Sequence, residues 1–299
     1  DIYNWVNKAA YGDASIDARG NVRGESEDRI YLQQLIAGVT YTPSPEWEAK
    51  LYLYDSRSWG SSLQSADFWV NPGTSDAYVM DYYDDHHELF TTYLRRKNLF
   101  DTDLTLTVGR QKLGYGDRRV FGPGEWGNTM GWLWDALHLS YKEGNNFIDG
   151  WYGQTRVKAP DDFSLVEKHR YQGVGIYGHY EGIALRGEPF FAWKNPLYHA
   201  LLPYEDFYYA GGRLYKDSFG PVFDATWVRE FGRSGEKTVD GCGYVIKGGY
   251  RWDTLHEPKV LVGITYASGD SNPLDDRIET FTTPFGMNDG PYYGRMDMM

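Results

Sequence analysis

The stretch Ile183-Ala-Leu-Arg-Gly-Glu-Pro-Phe-Phe-Ala-Trp193 decides the fold class. Successive side chains of a β-strand point to opposite faces. Ile183, Leu185, Phe191 and Trp193 therefore share one face, with Gly187 and Pro189 between them, while Ala184, Arg186, Glu188 and Phe190 share the other. The first face suits lipid. The second, with its arginine and glutamate, suits a water-filled lumen. The same division recurs as Leu104, Leu106 and Val108 against Asp103, Thr105 and Thr107, and as Phe223, Ala225 and Trp227 against Asp224, Thr226 and Val228. One such strand fits a soluble sandwich equally well, whereas a long series fits the wall of a barrel.

Across the whole chain, period-2 alternation between turn signals gives thirteen candidate strands, near 13–25, 30–42, 46–56, 86–97, 101–112, 132–142, 146–157, 170–181, 183–194, 205–217, 219–231, 241–253 and 257–268. Their connections alternate in length. Short turns fall at Thr42-Pro-Ser-Pro45, Lys97-Asn-Leu-Phe100, Glu143-Gly-Asn-Asn146, Tyr180-Glu-Gly182, Asp217-Ser-Phe219 and Asp253-Thr-Leu-His256. Longer segments span 57–85, 113–131, 158–169, 195–204, 232–240 and everything after 268. Tight periplasmic turns and long extracellular loops are the habit of outer-membrane barrels. The connection near Gly24 to Asp28 breaks the rule, being short where a long one is expected.

Composition agrees. The 299 residues include 26 Tyr, 11 Trp and 35 Gly, and aromatics make up 17% of the chain, yet mean hydropathy is −0.59. Strands that show lipid one apolar face and water one polar face, with aromatic girdles at the interfaces, reconcile those values. No run approaches the roughly 18 apolar residues that a transmembrane helix needs, which leaves the barrel as the membrane-spanning option. Cys242 stands alone, so no disulfide framework exists within the chain. The chain opens at Asp1 without an apolar signal segment, as a mature exported protein does. A net charge of −12 argues against nucleic acid as a partner.

The densest motif runs Val108-Gly-Arg-Gln-Lys-Leu-Gly-Tyr-Gly-Asp-Arg-Arg-Val-Phe-Gly-Pro-Gly-Glu-Trp-Gly-Asn128 and is followed by Trp134-Asp135. Further on stand Tyr266-Ala-Ser-Gly-Asp270, Thr280-Phe-Thr-Thr-Pro-Phe-Gly286 and Tyr292-Tyr-Gly-Arg-Met-Asp297. In these motifs, from about residue 13 onward, the sequence resembles the alginate-export family of outer-membrane β-barrel porins. It departs from that family at Thr129-Met-Gly131, where members often carry an arginine. The resemblance implies a barrel of roughly sixteen to eighteen strands. On that reading, 1–299 is a single all-β, antiparallel transmembrane barrel domain with thirteen strands visible and its C-terminal strands missing, and the odd count points the same way.

The resemblance also implies passive diffusion of an anionic polysaccharide or smaller carboxylated solute across the bacterial outer membrane. Strand phasing gives a basic lumen set of Arg19, Arg23, Lys50, Arg95, Arg186, Arg213, Lys247 and Arg251, opposed by Asp17, Glu48, Asp103, Glu188 and Asp224. Arginine suits this task because its planar fork matches a carboxylate bidentately and stays charged. The bland alternative is that these charges pair across neighbouring strands and stiffen the wall. In the motif, Arg110, Gln111, Asp117, Arg119, Glu125, Trp126 and Asp135 lie at strand ends or in a loop that can fold inward as a constriction. For Asp117 and Glu125 the reading favours loop architecture, with the acids pairing the arginines.

Two acidic clusters, one with Asp84 and Asp85 and one with Asp270 and Asp275, offer oxygen ligands for Ca²⁺ in extracellular loops, although neither has EF-hand or zinc spacing. A solvated loop is the favoured state for both. His138 and His179 phase onto the lumen without an obvious nucleophile beside them, and the usual catalytic motifs are absent, so no enzyme is expected. The rival to a pore is a structural sleeve or anchor whose lumen holds a periplasmic partner or a plug.

Overall fold

Twelve consecutive segments fold as strands, and along most of their length outward aliphatic or aromatic residues alternate with inward residues that are more often small or polar. The computed structural model describes residues 15–16, 22–23, 31–59, 85–123, 132–156, 169–196, 205–272 and 274–285. The long strands are β3 (Tyr31–Ser44), β4 (Trp47–Trp59), β5 (Asp85–Leu99), β6 (Leu104–Gln111), β7 (Trp134–Glu143), β8 (Asn146–Arg156), β9 (His169–Glu181), β10 (Arg186–Pro196), β11 (Glu205–Lys216), β12 (Gly220–Ser234), β13 (Lys237–Arg251) and β14 (Lys259–Ala267). Each pairs antiparallel with the next in one unbroken meander, with β3 and β14 at its edges. A short β15 (Arg277–Ile278) joins alongside β13 in parallel, through Thr238↔Arg277 and Val239↔Ile278, to complete a thirteen-stranded sheet.

The count of thirteen holds, but its membership changes at both ends. The candidate strand at 13–25 is not in this sheet; β1 (Ser15–Ile16) and β2 (Val22–Arg23) pair only with each other. The alternation there is carried mostly by small and charged residues, with Ile16 and Val22 the exceptions, which specifies register weakly. Three further expectations are corrected. The segment 232–240 is not a long loop: β12 and β13 run on to a two-residue turn at Gly235 and Glu236, with Gly235 in the left-handed region at φ 61°. Ile183, Ala184 and Leu185 lie in the turn before β10 rather than in the strand. Asp103 likewise sits exposed in the turn before β6, where Phe100 and Asp101 both take a left-handed φ of 57°.

The remaining connections sort as expected. The strand ends joined by 45–46, 100–103, 144–145, 182–185, 217–219 and 252–258 are at one end of the sheet, and the strand ends joined by 60–84, 112–133, 157–168 and 197–204 are at the other. The outer face is apolar and exposed, with Leu51, Val108, Leu137, Ile176, Trp227 and Ile246 among its residues. Aromatic pairs band this face at two heights. Tyr31–Trp59 (5.5 Å) and Tyr208–Phe231 (5.6 Å) lie toward the long loops, Tyr244–Tyr266 (4.9 Å) joins the middle of β13 to the end of β14, and Tyr250–Trp252 (5.0 Å) lies at the short turns. The inner face carries the buried cluster of Tyr115, Phe121, Trp134, Trp151, Tyr177, Phe190 and Tyr209. Two of those seven, Tyr115 and Phe121, come from a connection and not from the wall.

Candidate functional site: the inner face and its two inserted segments

After Gln111 the chain turns inward instead of continuing outward. Gly116 (φ 59°) and Arg118 (φ 65°) make the bend. A Cβ at Gly116 would stand 2.6 Å from the Tyr177 hydroxyl and 2.8 Å from Glu188, so only glycine permits this approach. Tyr115 and Phe121 bridge each other, with Tyr115 N–H donating to the Phe121 carbonyl at 2.9 Å. The Tyr115 ring is sandwiched between Trp151 (centroids 5.1 Å) and Tyr177 (4.6 Å), and Phe121 meets Trp151, Tyr177 and Phe190 edge-on. Trp151 fits because Gly175 on the next strand has no side chain; a Cβ there would lie 1.9 Å from the indole. The Tyr115 hydroxyl lies 3.2 Å from His138 Nε2, which in turn lies 3.1 Å from Asp149. Burial, and then the Asp149 carboxylate, push the Tyr115 phenol well above its ordinary range, so it is neutral.

Charge ties the same loop to the wall. Arg119 is 2% exposed and donates to Asp224 on β12 at 2.8 Å while contacting Asp117. Arg213 on β11 donates to both Asp224 oxygens (2.8 and 3.1 Å), reaches Glu188 at 3.4 Å and lies 4.1 Å over the Tyr215 ring. Glu188 in turn accepts from Tyr177 at 2.8 Å and faces His179 at 3.1 Å. Arg119 and Asp117 are thus loop anchors. The hydroxyls and guanidinia surrounding Asp224 and Glu188 satisfy charges that would otherwise be costly to desolvate.

A second segment, 279–285, also crosses the inner face. Phe285 bridges Phe121 and packs on Trp134 (4.5 Å), and Thr282 bonds to Glu230 and Tyr209. Sequence reading missed Glu230, Tyr209 and Tyr177. The available signal was strand phase, since Glu230 continues the inward series Asp224, Thr226, Val228.

The other expected positions spread along the wall. Arg95 pairs with Glu48 at 3.0 Å and stacks on Tyr93. Arg186 opens β10 at the short-turn rim and is held by Glu181 at 2.7 Å. Arg251 closes β13 at the same rim, with Glu257 at 2.5 Å. Lys50 lies over Tyr52 and Tyr93, and Lys247, opposite Asp224 in the ladder, rests across Gly263. Among the described residues, neither lysine has an ion pair. Arg110 grips Asp135 bidentately (2.7 and 2.8 Å) and donates to the Leu89 carbonyl at 3.1 Å, while Gln111 donates to the Ala136 carbonyl at 3.2 Å. These two brace β5, β6 and β7 against one another.

Arg19, Glu125, Trp126 and Asp84 lie outside the described residues, as do the side chains of Arg23 and Asp85. Asp270 and Asp275 accept backbone N–H groups from Asn272 and Arg277, as loop acids do in tight turns. Among the described residues, no three His, Cys, Asp or Glu side chains gather as a metal site.

An antiparallel meander with an apolar outer face, aromatic bands at two heights, a polar inner face and connections sorted by length is the wall of an outer-membrane β-barrel, and its place is the bacterial outer membrane. The chain belongs to the alginate-export family, whose profile, described as "Alginate export", matches residues 11–299. It is an outer-membrane transport porin. No curated protein matches the chain. Among solved structures it is similar to OmpT (in-vitro folded), an outer membrane protein of Vibrio cholerae, at 11% identity over 85% of this chain and 90% of that one, with a TM-score of 0.36.

Proposed function

We propose that this protein is an energy-independent pore preferring anions, through which an anionic polysaccharide or a smaller carboxylated solute diffuses. The observation that carries the reading is the pair Lys50 and Lys247, inward-facing ammonium groups without a carboxylate partner among the described residues. Their charge is available to a passing anion. A carboxylate moving along the wall meets a weak, replaceable contact at each lysine, as conduction requires. Arg95, Arg186, Arg213 and Arg251 are each engaged by a wall or turn carboxylate. They shape the field and the rim instead of binding solute outright.

That engagement supports a second reading, a sleeve stiffened by its own ion pairs and filled by a plug or partner. Single-channel recording in planar bilayers under a salt gradient separates the two. The pore reading expects an anion-selective reversal potential that falls toward zero in Lys50→Ala/Lys247→Ala. Folded protein that never conducts refutes it and favours the sleeve.

A further inference from the structure

The segment 279–285 is held by contacts that the wall does not need for its own pairing. Its backbone is tied at the start, where the Phe281 N–H donates to the Ser268 carbonyl at 2.9 Å and the Ser268 hydroxyl donates to the Glu279 carbonyl at 2.6 Å. Its rings lie on glycines. A Cβ at Gly243 would come 2.9 Å from the Phe281 ring, and one at Gly173 would come 2.5 Å from Phe285. At its centre is Glu230 of β12, 1% exposed. One Glu230 oxygen accepts the Thr282 N–H at 2.7 Å; the other accepts the Thr282 hydroxyl at 2.7 Å and the Tyr209 hydroxyl at 3.0 Å.

A buried carboxylate is an expensive wall residue. Along β12 its inward neighbours in phase are Val228 and Gly232, and across the ladder it faces Tyr209, which supplies one of its three hydrogen bonds. Its hydrogen bonds go to Thr282 and to a tyrosine that itself lies 3.3 Å from Thr282. The strap held this way meets the other inserted segment at the Phe121–Phe285 bridge. We infer that Glu230 is a positioning residue that latches segment 279–285 across the pore, so that this strap and loop 112–123 form a two-part constriction setting the largest solute that passes. This rests on the pore reading above, and deepens it: charge preference belongs to the lysines, the size limit to the latch.

The test uses the full chain with Cys242→Ser, and Pro284→Cys as reporter, because Pro284 is buried within the strap. Labelling by a small maleimide is followed with and without Glu230→Gln. Glutamine offers one acceptor and one donor where the carboxylate offers two acceptors, so at least one Thr282 bond and the charge are lost. Labelling is expected to accelerate by about tenfold or more, as loss of charge-assisted bonds raises local opening. In bilayers, without the reporter, Glu230→Gln is expected to raise unit conductance and to admit larger polyethylene glycols. Thr282→Val, which removes the hydroxyl and keeps the N–H, is expected to fall between the two.

A Glu230→Gln protein that retains its heat-modifiable barrel form but labels and conducts like its parent overturns the latch. Absence of conductance in every protein, the parent included, removes the pore reading, while the labelling rates still decide the latch by themselves.

Discussion

Replacing Arg119 with methionine removes the charge that fastens loop 112–123 to the wall while keeping an unbranched side chain of similar reach. Breaking a buried ion pair by deleting one partner costs about 3–5 kcal/mol. Here the cost is smaller, because Asp224 keeps two hydrogen bonds from Arg213, at 2.8 and 3.1 Å. Asp117 keeps the backbone N–H of residue 119, at 3.3 Å, and the longer contact to Arg213, at 3.6 Å. About 2–3 kcal/mol remains, the scale of one or two charge-assisted bonds. At about 1.4 kcal/mol per factor of ten, the docked-to-undocked ratio of the loop falls roughly 30- to 150-fold.

The strand ladders on either side of the loop do not involve Arg119, so this loss falls on the loop and not on the barrel. Two signals report it: limited proteolysis within the loop, and the near-ultraviolet circular dichroism of the stacked Tyr115 and Trp151. Arg119→Met should be cut faster and lose part of that signal while retaining heat-modifiable migration. Cleavage and dichroism equal to those of the unmodified protein would refute the claim that Arg119 anchors the loop.

Three further outcomes follow from the same geometry. Gly175→Ala places a methyl group where the Trp151 ring lies; overpacking of this kind costs about 1–3 kcal/mol, readable as a lower urea midpoint in detergent or lipid. Ile246→Arg puts a charge on the outer face at a residue 51% exposed and should destabilise the barrel by roughly 2–4 kcal/mol if the site lies near the bilayer midplane, measured by reversible unfolding into liposomes. The Tyr115 phenol is raised above the ordinary tyrosine value of about 10, so its stabilising contribution is fully present below that pH and is lost as pH climbs beyond it. The phenolate absorbance of Tyr115, isolated by difference against Tyr115→Phe, should appear later than that of free tyrosine, and normal titration would contradict the buried stack.

The wall was legible in the sequence because a barrel strand is specified locally: each outward residue meets lipid whatever its neighbours do, so Phe223, Ala225 and Trp227 announce their face by themselves. Strand ends were harder. Gly235 and Glu236 close a hairpin inside what reads as a nine-residue polar loop, because strands standing above the lipid no longer need apolar outward residues. The inner site was legible only in part. Asp117 and Arg119 read as a loop pair from composition, yet the partner that buries Arg119 is Asp224, 105 residues away, and no local pattern carries that distance. Segment 279–285 shows no alternation, since its footing is a set of glycines on other strands. Glu230 lies in phase with the inward series, but a lone inward acid that latches a segment is indistinguishable by sequence from one facing water.

If the inner wall prefers anions, that preference governs the flux of matched solutes. Proteoliposomes loaded with short uronic-acid oligomers and with neutral glucose oligomers of equal length are followed for release at low salt and again at high salt. Release of the acidic series is expected to be faster at low salt, with the difference shrinking as salt screens the wall and as Lys50 and Lys247 are removed. Equal release of the two series at low salt, or faster release of the neutral one, would contradict it.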